Sequence, residues 1–257
     1  MVFKKDSFIG TMIFTVTLCL LCSFMITGTA ELLKERKLVK KRDELKRNVL
    51  IAAAVDIADK DFSEIFKQKV KPLLITLDTG AEAPQVNVLD FDERLAAIDP
   101  NTSRPPKKDL AKIKSRAAQA RVFKVFDDKG ELASVVVPIY GKGLWSIIYG
   151  YIALQPDLNT IENVIFYEHG ETPGIGDFLN DPQWTAQWHG KQLFNAKGKV
   201  AFKVVKGGAK PGDIHGVDAV SGATMSGRGV QRAVKFWFGA EGFEMFFNNL
   251  KAAEGSK

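Results

Sequence analysis

An uncharged apolar run, Phe8 to Ala30 (FIGTMIFTVTLCLLCSFMITGTA), constrains this chain more than any other feature. Its 23 residues make roughly 34 Å of helix at about 1.5 Å per residue, enough to cross a hydrocarbon core of about 30 Å. In lipid every backbone polar group must bond within the segment, so β-branched residues, Gly and Thr do not forbid a helix there. The run also exceeds the h-region of about 7–15 residues in a cleaved signal peptide, although Lys4, Lys5 and the small residues Gly28-Thr29-Ala30 imitate its flanks. A retained single-pass anchor over residues 1–33, with the span at about 8–30, is expected. Cys19 and Cys22 fall inside it at i, i+3 spacing; they read as small polarizable residues of an apolar helix rather than a redox or metal pair. The residues before Cys22 are Leu20 and Leu21, a poor setting for lipid attachment to that cysteine.

The remaining chain has the composition of a globular protein: 46% of all residues are hydrophobic and 26% charged, which excludes wholesale disorder. Two cysteines in 257 residues exclude a disulfide scaffold and any all-cysteine zinc or iron–sulfur site. The formal charge of +6 invites a nucleic-acid reading, but its distribution removes it. Residues 1–47 carry ten Lys/Arg and five Asp/Glu, leaving 26 and 25 for the rest, so the body is nearly neutral and no nucleic-acid partner is expected. The basic segment instead suits a position beside a membrane, where Lys and Arg meet anionic head groups. Positive charge is heavier on the C-terminal side of the apolar run, which by the positive-inside rule points the body toward the cytoplasm; the rule weakens when a long domain follows.

Glu31 to Val55, rich in Lys, Glu, Leu and Ala, predicts a helix leaving the membrane. A short helix is expected at Phe62–Lys69, a strand at Pro72–Leu77 before the turn Asp78-Thr79-Gly80, a surface loop at Asn101–Lys108, and a charged helix at about Asp109–Gln119. From Arg121 the pattern changes. A hairpin (Val122–Phe126, Leu132–Tyr140) is followed by strands at Trp145–Leu154, Asn163–His169 and Val200–Val205, with a short helix near Pro182–Trp188. Val230, Ala233, Val234 and Trp237, at i, i+3, i+4, i+7, mark a terminal helix broken at Gly239–Gly242 and followed by Phe243–Lys251. Strands clustered together and then helices predict an α+β fold. The expected division is the anchor at 1–33, a helical stem and accessory region at 34–120, and a mixed α+β domain at 121–257.

Three Gly-containing loops are candidate sites: Gly141–Ser146 (GKGLWS), Glu171–Gly176 (ETPGIG) and Ser221–Gly227 (SGATMSG). Each follows or links an apolar segment, where backbone amides can face a ligand closely. The third has the glycine spacing of a P-loop, but Arg228 and Gly229 stand where Lys and Ser/Thr are needed, which argues against a nucleoside triphosphatase. No G-x-G-x-x-G opens a helix in a βαβ unit, so a dinucleotide fold is unsupported. Ser221 or Thr224 as a helix cap is the bland reading of that loop. The chemical one is that Thr224, at a helix N-terminus, would hold a phosphate on its hydroxyl against free amides and the positive end of the dipole. His169, His189 and His215 match no metal spacing, and no metal site or acid–base catalytic constellation is expected.

Asp218-Ala219-Val220-Ser221-Gly222-Ala223-Thr224 resembles the D-x-x-S-G-A-T signature of proteins that carry covalent FMN. With GKGLWS, YEHGETPGIGD, VKGGA (Val205–Ala209), HGVDAVSGAT and a Phe/Trp-rich terminal helix in order behind an anchor and charged stem, nearly the whole chain resembles one family. It is that of the C subunits, the covalent FMN-binding subunits, of bacterial sodium-translocating NADH:quinone oxidoreductases. The resemblance implies an FMN phosphoester on Thr224, made by a separate flavin transferase that recognises Asp218, Ser221, Gly222, Ala223 and Thr224. It implies an inner-membrane complex of six subunits, with electrons relayed between an iron–sulfur centre in the membrane subunits and another FMN subunit on the path from NADH to quinone. It also implies a periplasmic body, against the charge rule. Such a flavin would lie in an apolar slot with amide donors, for which Gly143, Leu144, Trp145, Glu171, Thr172, Gly174 and Ile175 are the candidates, with Lys206 offsetting phosphate charge. Two other readings stay open: the equivalent FMN subunit of an Rnf-type ferredoxin-linked electron-transport complex, and a cofactor-free membrane-tethered structural or assembly subunit.

Overall fold

The computed structural model describes residues 7–58, 60–84 and 87–254; Lys4, Lys5 and Asp6 of the basic N-terminal flank lie outside these residues. The chain divides into two compact units, Met1–Glu44 and Leu45–Lys257. In the first, α1 (Phe8–Leu32) opens on Ser7, whose Oγ accepts from the Gly10 amide at 3.1 Å. Thr15 and Thr29 donate their hydroxyls to the Thr11 and Met25 carbonyls at 2.9 and 2.8 Å, so these polar groups of an apolar helix are satisfied within it. Among the described residues α1 is the one helix long and apolar enough to cross a membrane. Cys19 and Cys22 are exposed free thiols on it. A one-residue break at Leu33 separates α1 from α2 (Lys34–Ala52), where the composition predicts an unbroken helix.

From Leu45 onward the chain builds one α+β body. The last turns of α2 bury Leu45, Val49, Leu50 and Ala52. Next, α3 (Phe62–Lys69), capped by Asp61, runs directly into β1 (Val70–Thr76). After α4 (Glu93–Ile98), a small ribbon pairs β2 (Ser103–Arg104) with β3 (Arg116–Ala117). The main sheet adds β4 (Gln119–Phe126), β5 (Leu132–Lys142), β6 (Ile147–Leu154) and β7 (Ile161–Glu168). It is antiparallel throughout, in the order β1-β4-β5-β6-β7. Through β1, part of the expected stem and accessory region belongs to the same sheet as the residues after 120. Beyond the sheet lie α5 (Pro182–Ala186), the parallel pair β8 (Lys203–Val205) and β9 (Gly216–Asp218), then α6 (Thr224–Trp237) and α7 (Glu244–Glu254).

Strand alternation sorts the apolar residues into two cores. On β5, Val135, Val137 and Ile139 face the larger core with α6, α7 and the aromatics Trp184, Trp188, Phe202 and Trp237. Val136 faces the smaller core beside Leu45, Val49, Leu50, Phe66, Phe123 and Tyr151. The sheet is thus covered on both faces. Across the smaller core, α4 is tied to β4 by Glu93, whose carboxylate accepts from Arg121 Nε at 2.6 Å. It is tied to β7 by Arg94, which donates two bonds to Glu168 at 2.9 and 2.7 Å while covering the Tyr149 ring.

The charged helix expected at Asp109–Gln119 does not form. The Asp109 carboxylate accepts from the Ile113 and Lys114 amides at 2.9 and 2.8 Å, a local alternative to helical bonding that short acidic side chains offer. Lys112 and Lys114 take positive φ, and the buried Arg116 reaches back to Asp78 at 2.6 Å. Fully buried Ala111 gives its carbonyl to the Lys142 amide at 2.8 Å. Tertiary partners on β5 and in the turn after β1 therefore claim groups that a helix would have paired internally.

Phe123 packs edge-on between Phe66 and Tyr151, with centroids 6.3 and 6.1 Å away. Phe123→Ala is expected to cost about 3–5 kcal/mol, read as a lowered melting temperature of the full chain in detergent. A melting temperature matching the parent's would contradict the central place of Phe123 in the smaller core.

Candidate functional site

The helix that begins at Thr224 is placed by close backbone approach. A Cβ at Gly229 would stand 2.7 Å from the Lys142 carbonyl oxygen and 2.9 Å from Gly143 Cα, so only glycine lets α6 lie directly on the end of β5. Arg232 donates to that same Lys142 carbonyl at 3.2 Å, and Gln231 Oε1 accepts from the Val204 amide at 2.7 Å, joining α6 to β8. The buried side of α6 carries Ser226, Val230, Ala233, Val234 and Trp237.

Glu171 joins the loops. It is 5% exposed, and its carboxylate accepts from the amides of Leu144, Trp145 and Ser146 at 3.1, 3.0 and 3.3 Å. Ser226, two residues after Thr224, donates its hydroxyl to the same carboxylate in a short bond. Burial alone would push this carboxyl up, but the Ser226 hydroxyl and the three amides outweigh it and hold the group below the ordinary glutamate range. Two further bonds tie the first loop to the second: Trp145 Nε1 donates to Thr172 Oγ1 at 3.0 Å, and the Gly170 amide donates to Ser146 Oγ at 2.6 Å. The second loop turns at Gly174, with φ +79°, and its Ile175 side chain lies 3.5 Å from where a Gly222 Cβ would be. Gly222 itself has φ +82°, a conformation that favours glycine.

Asp218 ends β9 as a structural anchor. Its Oδ1 accepts from the Ala209 amide at 2.7 Å, its carbonyl from Trp184 Nε1 at 2.7 Å, and its amide donates to Gln187 Oε1 at 2.9 Å. Parallel pairing of Val205 with Asp218 puts exposed Lys206 one residue beyond this anchor on the neighbouring strand. Thr224 is the exposed first residue of α6. The N-cap position is the buried Ala223, and no side chain caps the helix, so neither Ser221 nor Thr224 takes the capping role that the bland reading assigns.

The three loops thus converge, and the exposed large residues among them are apolar: Leu144, Trp145, Ile175 and Met225. Ser221, Gly222, Thr172 and Gly174 are exposed beside them, whereas Gly143, Glu171 and Ala223 are buried and frame the loops. Sequence reasoning gives no role to Gly229, Trp184 or Gln187, and includes Met225 and Ser226 only as members of the third loop. A signal exists for Ser226, since a hydroxyl on the apolar stripe of α6 must find a buried partner. The contacts of Trp184 and Gln187 with Asp218 span 34 and 31 residues and leave no local mark. His169 lies at the loop edge, its Nδ1 accepting from the Glu171 amide at 3.4 Å and its Nε2 2.9 Å from Asn180 Nδ2.

Residues 143–239, which hold most of the first loop and all of the other two, match the family model described as an FMN-binding domain. The chain is 39% identical over 256 residues to the C subunit of the Na(+)-translocating NADH-quinone reductase of Haemophilus ducreyi, covering 99% of this chain and 98% of that one. It is 39% identical to the C subunit from Neisseria meningitidis serogroup B, covering 98% and 97%. The crystal structure of Shewanella oneidensis NqrC superposes with a TM-score of 0.81 at 68% identity, over 83% of this chain and 99% of that one. The corresponding C-subunit structure from Parabacteroides distasonis, at 24% identity and a TM-score of 0.64, shares the fold over 82% of this chain and 94% of that one.

Because Glu171 is held below its unfolded pKa, the stability it contributes is complete above about pH 4.3 and is lost as pH falls through the lower folded value. Ser226→Ala removes one of the donors that hold it there and is expected to cost about 1–3 kcal/mol near pH 7. The gap between parent and variant melting temperatures should stay constant through neutral pH and narrow below about pH 4. A gap that widens on acidification would reverse the assignment.

Proposed function

As the chain belongs to the C-subunit family of Na(+)-translocating NADH-quinone reductases, we propose that it is the membrane-anchored FMN subunit of such a complex, relaying electrons through an FMN esterified to Thr224. The single observation that carries the site assignment is the exposed Thr224 at an uncapped helix start, on loops that are bonded together and expose apolar side chains. These residues suit the group. A phosphate on Thr224 would meet first-turn amides of α6 and the positive end of its dipole, and exposed Lys206 supplies a cation on the adjoining strand connection. Leu144, Trp145, Ile175 and Met225 offer an apolar surface for a planar ring and shield it from water. Thr172 and Gly174 border it with polar groups.

Bound FMN supplies the electron-carrying chemistry; the protein's part is to attach, orient and shield. Covalent attachment suits a relay, since a carrier that must accept and deliver electrons in place cannot be allowed to dissociate. The buried frame of Glu171, Ser226, Gly143 and Gly229 holds the loops at fixed separation, which limits the rearrangement that accompanies a change of charge. Asp218, bonded to Ala209, Trp184 and Gln187, serves the modification motif by setting the turn that presents Ser221–Thr224 to a flavin transferase. We place α1 across the bacterial inner membrane and the body on the periplasmic side. The partners are the other members of a complex of six subunits, chiefly the second FMN subunit and the iron–sulfur-bearing membrane subunits. The C-subunit relatives, matched along nearly their full length, favour this reading over the equivalent FMN subunit of an Rnf-type complex. The FMN-binding domain match over 143–239 weighs against a cofactor-free assembly subunit.

Intact mass of the chain produced with a flavin transferase is expected to carry one FMN adduct, with fluorescence in a denaturing gel. Thr224→Ala should abolish both, and retained fluorescence would refute the site. A C-terminal reporter fusion should be active in its periplasmic form, and activity confined to a cytoplasmic reporter would overturn the orientation.

A further inference from the structure

Buried carboxylates normally sit against a cation or a metal. Among the described residues Glu171 has no ion-pair partner, and its donors are all neutral: the Leu144, Trp145 and Ser146 amides and the Ser226 hydroxyl. Oε1 takes two of these bonds and Oε2 the other two, which matches the acceptor-only capacity of an ionised carboxylate. A glutamine there would turn one oxygen into an NH2 group facing N–H donors. The backbone is also shaped around this group. A Cβ at Gly143 would lie 2.5 Å from Oε1, and one at Gly176 would lie 2.8 Å from Glu171 Cβ. The loops therefore enclose an uncompensated negative charge behind Leu144 and Trp145, and Ser226 connects it to the first turn of the helix that starts at Thr224.

We propose that Glu171 is a positioning residue that sets the redox potential at the Thr224 site, both by fixing the GKGLWS loop against α6 and by keeping a fixed negative charge behind it. The proposal rests on the flavin reading above. A buried anion raises the energy of any added negative charge nearby, because the interior screens it far less than water does. Adding an electron to a flavin held at Thr224 is thereby made harder, and the potential is lowered. A loop staple alone would need bonds but no charge, and this difference separates the two roles.

The test uses the full chain in detergent, flavinylated during expression and checked by intact mass, with the midpoint potential read by spectroelectrochemical titration. Glu171→Gln, which keeps the length and removes the charge, is expected to shift the potential upward. Glu171→Asp, which keeps the charge and shortens the reach by one methylene, is expected to shift it less than Glu171→Gln does. Equal shifts in both variants would leave only a staple and overturn the proposal, as would an unchanged potential in Glu171→Gln. If Glu171→Gln does not fold, Ser226→Ala decides. It keeps the charge and removes one donor, so the potential should fall, and no fall would overturn the proposal. A parent chain without an adduct would sink the flavin reading and this proposal with it, whereas an adduct with potentials indifferent to charge sinks the proposal alone.

Discussion

Four neutral donors converging on the carboxylate of Glu171 create the relation between parts of the chain that are otherwise far apart. Leu144, Trp145 and Ser146 come from the β5–β6 connection, Glu171 from the segment after β7, and Ser226 from the first turn of α6. Burying a carboxylate carries a desolvation cost that is offset only when its lone pairs are matched. Each donor is consequently held to a narrow position, and the loops that bear the exposed apolar residues inherit that order. Without this group the β5–β6 connection would have three amides to satisfy with water, and the face around Thr224 would lose its rigid backing.

The sheet and its two cores supply the platform beneath that contact. Gly229 lets α6 rest on the backbone of Lys142 and Gly143, and a side chain there would push the helix off that strand end. Trp184, packed edge-on against Phe178 at 4.7 Å and near Trp188 at 5.5 Å, aims its indole N–H at the Asp218 carbonyl. The larger core thus extends to Asp218, at the start of the segment that leads to Thr224. The proposed attachment at Thr224 would gain from this arrangement, because a hydroxyl on a supported helix start stays exposed while its neighbours remain packed.

The anchor and the body obey different rules, and the basic segment between them shows how composition can mislead. A net charge of +6 belongs almost wholly to the first fifth of the chain, and α2 carries most of it between Lys34 and Arg47, before its apolar end from Val49. Counting charges without locating them suggests nucleic acid; locating them suggests a membrane surface. The positive-inside rule points the body to the side opposite the periplasmic placement proposed above. The rule is weakest for a long domain after a single span, which is the arrangement here.

Local physics is sufficient wherever an element rests on its own residues. The apolar run of α1, the Asp61-capped α3, the β4–β5 hairpin and the apolar stripe of α6 are legible because periodicity and caps are written in neighbouring positions. The S-G-A-T motif likewise singles out Thr224 as the attachment point proposed above. The segment Asp109–Gln119 reads as a helix but is not one, because its groups are claimed by Asp109, by Asp78 through Arg116, and by Lys142, a competition that no short window contains. The parallel pairing of β8 with β9, the fixed approach of α6 at Gly229, and the role of Glu171 are likewise decided only by tertiary structure. Glu171 is visible in the sequence as one residue of a Gly-rich loop, but a carboxylate becomes a buried clamp only through the donors that surround it, and those come from 25 to 55 positions away along the chain.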